Sequence, residues 1–394
     1  MISGSFAQEA NQAKPPDTQA APAEKAPPPQ QKQNAVPADD EAKKPDDKKH
    51  EKDDLLRGVL ERGAIVAAPL PISSPAIGSG IVPVLGYIFP LDKNDKISPP
   101  SVIGGGGLIT NNGSSGFGMM TQLFFKEDTY RADAMYGNGN INYNLYGIGA
   151  IAGNQGLKLP IDQQGNVFLG EFLRRIVWKF FVGIRFWSGD SEVTIRPTTE
   201  DRVPPPPDLG LHTTLRAIGL RLNRDTRPNR FYPVKGTLFE FTSDFFAKDL
   251  GSKYSFQSYR FTFNKYVSLS EKQVLAYNLY VCGTGGTPPF YANCVYGVES
   301  ELRGYEPGRY LDRYMLATQL EYRLELRWRF GFVAFGGIGG VAPGDMRLRT
   351  ENFLPAGGGG LRYELSKKYH VNLRADIAQG KNGHTFTMGV GEAF

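Results

Sequence analysis

The chain has no run of eighteen or more apolar residues, which excludes a helical membrane span. It is also poor in the residues that build reactive centres, with Cys 2 and His 4. His50, His212, His370 and His384 fall in a linker or in separate strand-like segments, so no zinc site of ordinary spacing can be assembled from them. There is no GxSxG elbow, no Walker loop, no HExxH, and no GxGxxG between a strand and a helix. The Gly104–Gly107 run lies in a strand-like context, where close backbone packing or bending accounts for it better than phosphate binding. Carboxylates pair along several segments, but each has basic neighbours, which points to charge balance and not to acid–base chemistry. The formal net charge of +5 is small for the length and forms no basic stripe, so nucleic acid is excluded as a partner. The expectation is a protein that is not an enzyme, with no catalytic residue, metal or cofactor.

What the chain does have is glycine and aromatics, with Gly 47, Tyr 19 and Phe 25. A mean hydropathy of -0.34 with 22% charged residues suggests a soluble protein at first sight. A transmembrane β-barrel gives the same averages, because its apolarity sits in every second residue. The texture changes near residue 63. Residues 1–52 are dominated by Pro, Ala, Gln, Lys and Asp, which cannot bury enough apolar surface to offset ordering entropy, and they read as a disordered linker. Residues 1–7 end in Ser5-Phe6-Ala7, which reads either as the remnant of a signal peptide or as a chance match. Residues 53–63 contain DLLRGVLER, which makes two helical turns or a fraying linker end.

From residue 64 to 394 the pattern is short alternating segments separated by Gly, Pro, Asn and Asp. In Leu316–Phe330, Leu316, Leu320, Tyr322, Leu324 and Trp328 share one face, while Gln319, Glu321, Arg323, Glu325 and Arg327 share the other. A strand of this length, about 50 Å at about 3.4 Å per residue, suits a tilted barrel wall better than a soluble sandwich. The same split recurs in Val371, Leu373, Ala375 and Ile377 against Asn372, Arg374 and Asp376, and in Tyr259, Phe261 and Phe263 against Arg260, Thr262 and Asn264. A one-residue slip would turn each inward charge toward lipid at roughly 2–4 kcal/mol, so register is strongly enforced. The expected fold is all-β: a transmembrane antiparallel barrel of about sixteen strands. They are placed near residues 78–89, 101–110, 114–126, 129–137, 140–150, 163–176, 181–196, 212–223, 235–247, 254–268, 272–281, 314–328, 330–341, 356–365, 367–379 and 384–394. The chain closes on HTFTMGVGEAF, in which Phe386, Met388, Val390 and the terminal Phe394 share one parity, as in a last strand carrying a C-terminal barrel signal.

Three segments go beyond a generic barrel: NLYGIG at Asn144–Gly149, RDTRPNRFYPVKG at Arg224–Gly236, and LRGYEPGRYLDRY at Leu302–Tyr314 ahead of QLEYR at Gln319–Arg323. In this order, before GFVAFGGIGGV, GGGLRYEL, VNLRADIAQG and GEAF, they resemble the barrel domain of the BamA/TamA superfamily of outer-membrane proteins. The resemblance runs from about Pro69 to Phe394. It implies that Leu302, Arg303, Gly304 and Tyr305 form a loop motif folded back into the lumen, with Arg303 pinned against carboxylates. Glu321 is the best acceptor on the following strand. The family often places an Asp two residues after the Phe of the next strand, where this chain has Phe335-Gly336-Gly337. That departure leaves a smaller network, or one that uses Glu325. Cys282 and Cys294 lie in the same connection and predict a disulfide, worth about 2–3 kcal/mol in the chain-entropy model, and thus an oxidising compartment.

The resemblance further implies the bacterial outer membrane, its lipids as surroundings, and help with insertion or translocation of client barrel proteins through a lateral seam between the first and last strands. Gly78, Gly80 and Gly86 near the first strand, and Gly389 and Gly391 in the last, either loosen that seam or mark simple bends. Family members of this kind carry periplasmic POTRA domains, whereas a low-complexity segment stands before this barrel. An accessory lipoprotein or another subunit is therefore the expected partner. The alternative is a passive pore or structural barrel without insertase activity. Lipid transfer through the seam has no residue support.

Overall fold

The computed structural model describes residues 63–74, 77–156, 158–195, 212–298, 300–344 and 352–394. The linker 1–52 and the short helix expected over 53–63 lie outside them, except for Gly63. Sixteen antiparallel strands close into one barrel. In chain order they are β1 (Ala64–Ser74), β2 (Gly78–Phe89), β3 (Ser101–Thr110), β4 (Ser115–Phe125), β5 (Tyr130–Leu145), β6 (Leu159–Arg175), β7 (Phe180–Ile195) and β8 (His212–Asp225). There follow β9 (Gly236–Phe246), β10 (Phe256–Ser270), β11 (Gln273–Gly286), β14 (Tyr314–Glu325), β15 (Phe330–Ala342), β16 (Leu354–Ser366), β17 (Val371–Gly380) and β18 (Gly383–Val390). The connection from β11 to β14 holds a separate small ladder of β12 (Cys294–Val295) and β13 (Leu311–Asp312), and α1 (Ala150–Gln155) follows β5.

The alternation in the sequence becomes the wall. Ile184 is 65% exposed and its neighbour Arg185 8%; Leu320 is 47% exposed and Glu321 0%. Because strand side chains alternate, one parity faces outward and the other the lumen. The ionic interior is not uniform, however. Inside β1–β3 and β5 the lumen face is apolar, with Ala68, Leu70, Val82, Leu108 and Ile141 in one cluster.

The strand count agrees with the sequence expectation, but three boundaries do not. Ala64–Ser74, which contains Pro69 and Pro71, is a strand ahead of the first one placed from the sequence. Segments 129–137 and 140–150 are a single strand, β5, since Asn138-Gly139-Asn140 pairs straight through with Asn166, Gly165 and Gln164 of β6. The long segment at Leu316–Phe330 also stops at Glu325: Trp328 takes φ 69 in a tight turn, and Phe330 begins β15. An even number of strands puts Gly63 and Phe394 at one end of the barrel, here the terminal end, and the β11–β14 connection at the other.

A pinned loop and an incomplete seam

The β11–β14 connection folds into the lumen, and its own residues explain why. A disulfide between Cys282 at the end of β11 and Cys294 in β12, with Cα atoms 5.9 Å apart, fixes where the loop turns inward. Cys294↔Asp312 and Val295↔Leu311 then pair the two limbs of the loop. Tyr296, Tyr305 and Tyr310 pack edge to face. Their hydroxyls reach outward to the wall: Tyr296 donates to the Leu354 carbonyl at 2.8 Å and Tyr305 to the Pro355 carbonyl at 2.6 Å. Each buried phenol is thereby satisfied, as a buried O–H requires. At the loop tip Gly304 adopts φ +109, and a Cβ there would lie 2.9 Å from Ala356 Cβ. No side chain fits that backbone in that space.

Arg303, at the tip, is wholly buried. Its Nε donates to Gln319 Oε1 at 3.0 Å and its Nη1 to Asp376 Oδ2 at 2.7 Å, while its Nη2 donates to Glu321. The guanidinium lies 3.4 Å from the centre of the Phe335 ring. Around it Arg323 Nε donates to Glu321 Oε1 at 2.6 Å, and Arg362 bonds both Asp376 (2.6 Å) and Glu392 (2.8 Å). Arg374 Nη1 reaches Asp376 at 3.4 Å. A charge buried this deeply is tolerable only when paired and hydrogen-bonded, and every member here shares partners.

Of the residues singled out in the sequence, Arg303, Glu321, Leu302, Gly304 and Tyr305 are brought together. Glu325 is not. It sits at the exposed end of β14 and faces Tyr232. The second acceptor is Asp376 on β17, which the sequence reading treated only as an inward residue. Gly337, where a carboxylate was expected, is instead space for the loop: a Cβ there would lie 2.5 Å from Leu302 Cδ1. The loop also carries Glu301, which is buried beside Tyr280 and Arg260; burial pushes its carboxyl up to about 7.

RDTRPNRFYPVKG, between β8 and β9, also turns inward, at the terminal end. Asp225 holds Arg227 and Arg230 at 2.9 Å, Asn229 Nδ2 crosses to the Tyr369 carbonyl at 3.0 Å, and Arg230 lies over the Phe124 ring. A further network, Arg185 with Asp244 and Arg221 with Asp133 and Glu240, lines the β5–β9 wall. Among the described residues, no group of His, Cys, Asp and Glu could hold a metal ion.

The seam is the other feature. β17 and β18 stay in register from Leu373↔Val390 to Gly380↔Gly383, whereas among the described residues β1 meets β18 only at Ser73↔Phe386. Gly78, Gly80 and Gly86 are on β2 and not on the first strand, which corrects their assignment to the seam. Gly389 leaves room for the Arg374 guanidinium, 2.8 Å from where its Cβ would lie. Gly391 has φ +89, and beyond it the chain leaves the wall. Glu392 enters the ionic network, and the Phe394 ring lies 6.5 Å from that of Tyr266, with its carbonyl oxygen accepting from Arg323 at 3.1 Å. Phe394 is therefore in the lumen, apart from the outward row of Phe386 and Val390.

These features define a transmembrane-type β-barrel with a loop pinned inside and one incomplete strand junction. Residues 187–390 match the Omp85 superfamily domain, just over half of the chain, and the protein belongs to that superfamily. No curated protein sequence matches it. Among solved structures it is similar to BamA from Haemophilus ducreyi lacking POTRA domains 1-3, at 13% identity and TM-score 0.51, over 84% of this chain and 70% of that one. It is similar also to CdiB from Acinetobacter baumannii (13%, TM-score 0.54, 83% of this chain and 59% of that one). CdiB from Escherichia coli aligns at 10% and TM-score 0.53, over 83% of this chain and 61% of that one. The chain thus spans less than two thirds of the CdiB chains, and at these identities the likeness is one of fold.

Proposed function

We propose that this barrel resides in the bacterial outer membrane and assists insertion or translocation of client proteins through the β1–β18 seam, without enzymatic chemistry. One observation carries the reading: β1 and β18 share the single described pair Ser73↔Phe386, whereas the flanking junctions β1–β2 and β17–β18 run in continuous register. Unpaired backbone groups in hydrocarbon cost several kcal/mol each, so such a junction is a place where an added strand is favoured. A passive pore fits less well, since the pinned loop enters the lumen from one end and the β8–β9 turn crosses it at the other. An accessory lipoprotein or another subunit supplies client reception in this account.

Depletion tests it. An assembly factor lowers the yield of other outer-membrane barrels when depleted and copurifies with a second subunit from native membranes. A passive barrel leaves those yields unchanged and gives steady conductance in planar bilayers.

A further inference from the structure

The two edges of the seam are chemically unequal, because prolines sit on one of them at the positions that matter. In an antiparallel ladder a residue turns its N–H and C=O toward the same neighbour, and successive residues alternate sides. On β2 the odd residues face β3: a Cβ at Gly106 would lie 3.0 Å from the Pro83 carbonyl oxygen, and one at Gly104 would lie 3.1 Å from that of Leu85. The β2–β3 register accordingly lapses between Ile81↔Ile109 and Val84↔Gly106, where Pro83 has no N–H to give. Pro83 stands opposite Pro69, and Ile81 opposite Pro71. Since β1 and β2 pair odd with odd, the odd residues of β1 turn their backbone groups away from β2, toward the seam. Pro69 and Pro71 are among them.

On β18 the parity is fixed from the other side. Gly391 N donates to the Asn372 carbonyl at 2.7 Å, so odd residues face β17 and even residues face the seam. Continuing the register from Ser73↔Phe386 would set Pro71 opposite Met388 and Pro69 opposite Val390. At both positions β1 lacks its donor. Beyond Val390 no edge is left for Ala67 or Ile65 to pair with, because Glu392 and Phe394 are held in the lumen.

Resting on the seam reading above, we infer that β18, and not β1, is the edge that accepts a client. The occupant is an amphipathic β-strand of another outer-membrane barrel, added antiparallel along the backbone of His384, Phe386, Met388 and Val390. β18 has an N–H and a C=O at each of these positions, of which, among the described residues, only Phe386 is paired with β1, through Ser73, and it carries the outward row of Phe386 and Val390 with which an added strand continues the apolar wall. β1 offers carbonyls alone at Pro69 and Pro71 and is a blunted edge.

The test uses the full-length protein in lipid nanodiscs and, as probe, a synthetic peptide copying residues 383–394, which has the alternation of a terminal barrel strand. A photo-crosslinking residue is placed singly at Met388 on β18, or at Ala67 or Ile65 on β1, which leaves Pro69 and Pro71 in place. Capture of the peptide from Met388 at least tenfold above either β1 position supports the inference. In addition, P69V/P71V restores donors to β1, lets it zip to β18, and lowers capture at Met388 by about tenfold. Equal or stronger capture from the β1 positions overturns the inference and leaves the seam reading standing. Capture from neither edge overturns both. If P69V/P71V left capture at Met388 unchanged, the donor-less prolines would not be what separates the edges.

Discussion

Arg303 Nη1 donates to Asp376 Oδ2 at 2.7 Å across 73 residues of sequence, and this bond ties the inward loop to the strand next to the last. Because Asp376 also accepts from Arg362, and Arg362 from there reaches Glu392, the loop and the C-terminal tail are held by one connected set of charges.

Arg303→Ala removes the cation shared by Glu321 and Asp376 and leaves buried carboxylates short of a partner. Breaking a buried pair in this way costs about 3–5 kcal/mol. The expected result is a loop cleaved by protease in intact barrels and a lowered temperature of heat-modified gel mobility. Asp376→Asn should weaken the loop in the same direction, whereas Glu325→Gln, outside the network, should leave protease resistance unchanged.

Gly337→Asp supplies the carboxylate that the family resemblance implies for this place, yet it should destabilise the loop here. The new side chain meets Leu302 at a distance no Cβ tolerates, and Arg303 is already supplied by Asp376. Protease protection of the β11–β14 connection, compared with Gly337→Ala, reads the effect. The prediction fails if the aspartate variant is as protected as the parent.

Glu301 makes loop docking depend on pH. Burial raises its carboxyl from an ordinary 4.5 to about 7, while Tyr280 and Arg260, which face it, and nearby Tyr296 set its surroundings. The folded loop therefore binds a proton that the released loop gives up. Docking is strongest below about pH 4.5 and loses up to about 3 kcal/mol as pH rises through 7. Hydrogen exchange of the loop between pH 5 and 8 should show this decline, and Glu301→Gln should flatten it.

Replacing both Cys282 and Cys294 by Ser should cost the loop about 2–3 kcal/mol while the wall stays closed. Far-ultraviolet circular dichroism should be unchanged, and proteolysis between Gly286 and Arg313 should quicken.

The wall was legible in the sequence because lipid and ion pairs select opposite parities, and Leu320 and Glu321 show it as adjacent letters. Arg303 and Glu321 were legible through the LRGY and QLEYR motifs. Asp376 was not, since nothing local marks a residue whose partner is 73 positions away. β1 was hidden because Pro69 and Pro71 break a central strand but are tolerated on an edge whose donors face an open junction. That misreading moved the seam onto the glycines of β2. Phe394 shares a parity with the lipid-facing residues, but Gly391 at φ +89 ends the alternation before it.

The most direct test is to lock the junction. Ile72 and Thr387 are neighbours in the register set by Ser73↔Phe386, and cysteines at both positions should form a disulfide across β1 and β18. If the seam is where clients enter, the oxidised double variant should fail to support assembly of other outer-membrane barrels in a depleted strain. Reductant should restore it, and either single-cysteine variant should behave as the parent throughout. Normal client yield from the fully locked barrel would contradict the account.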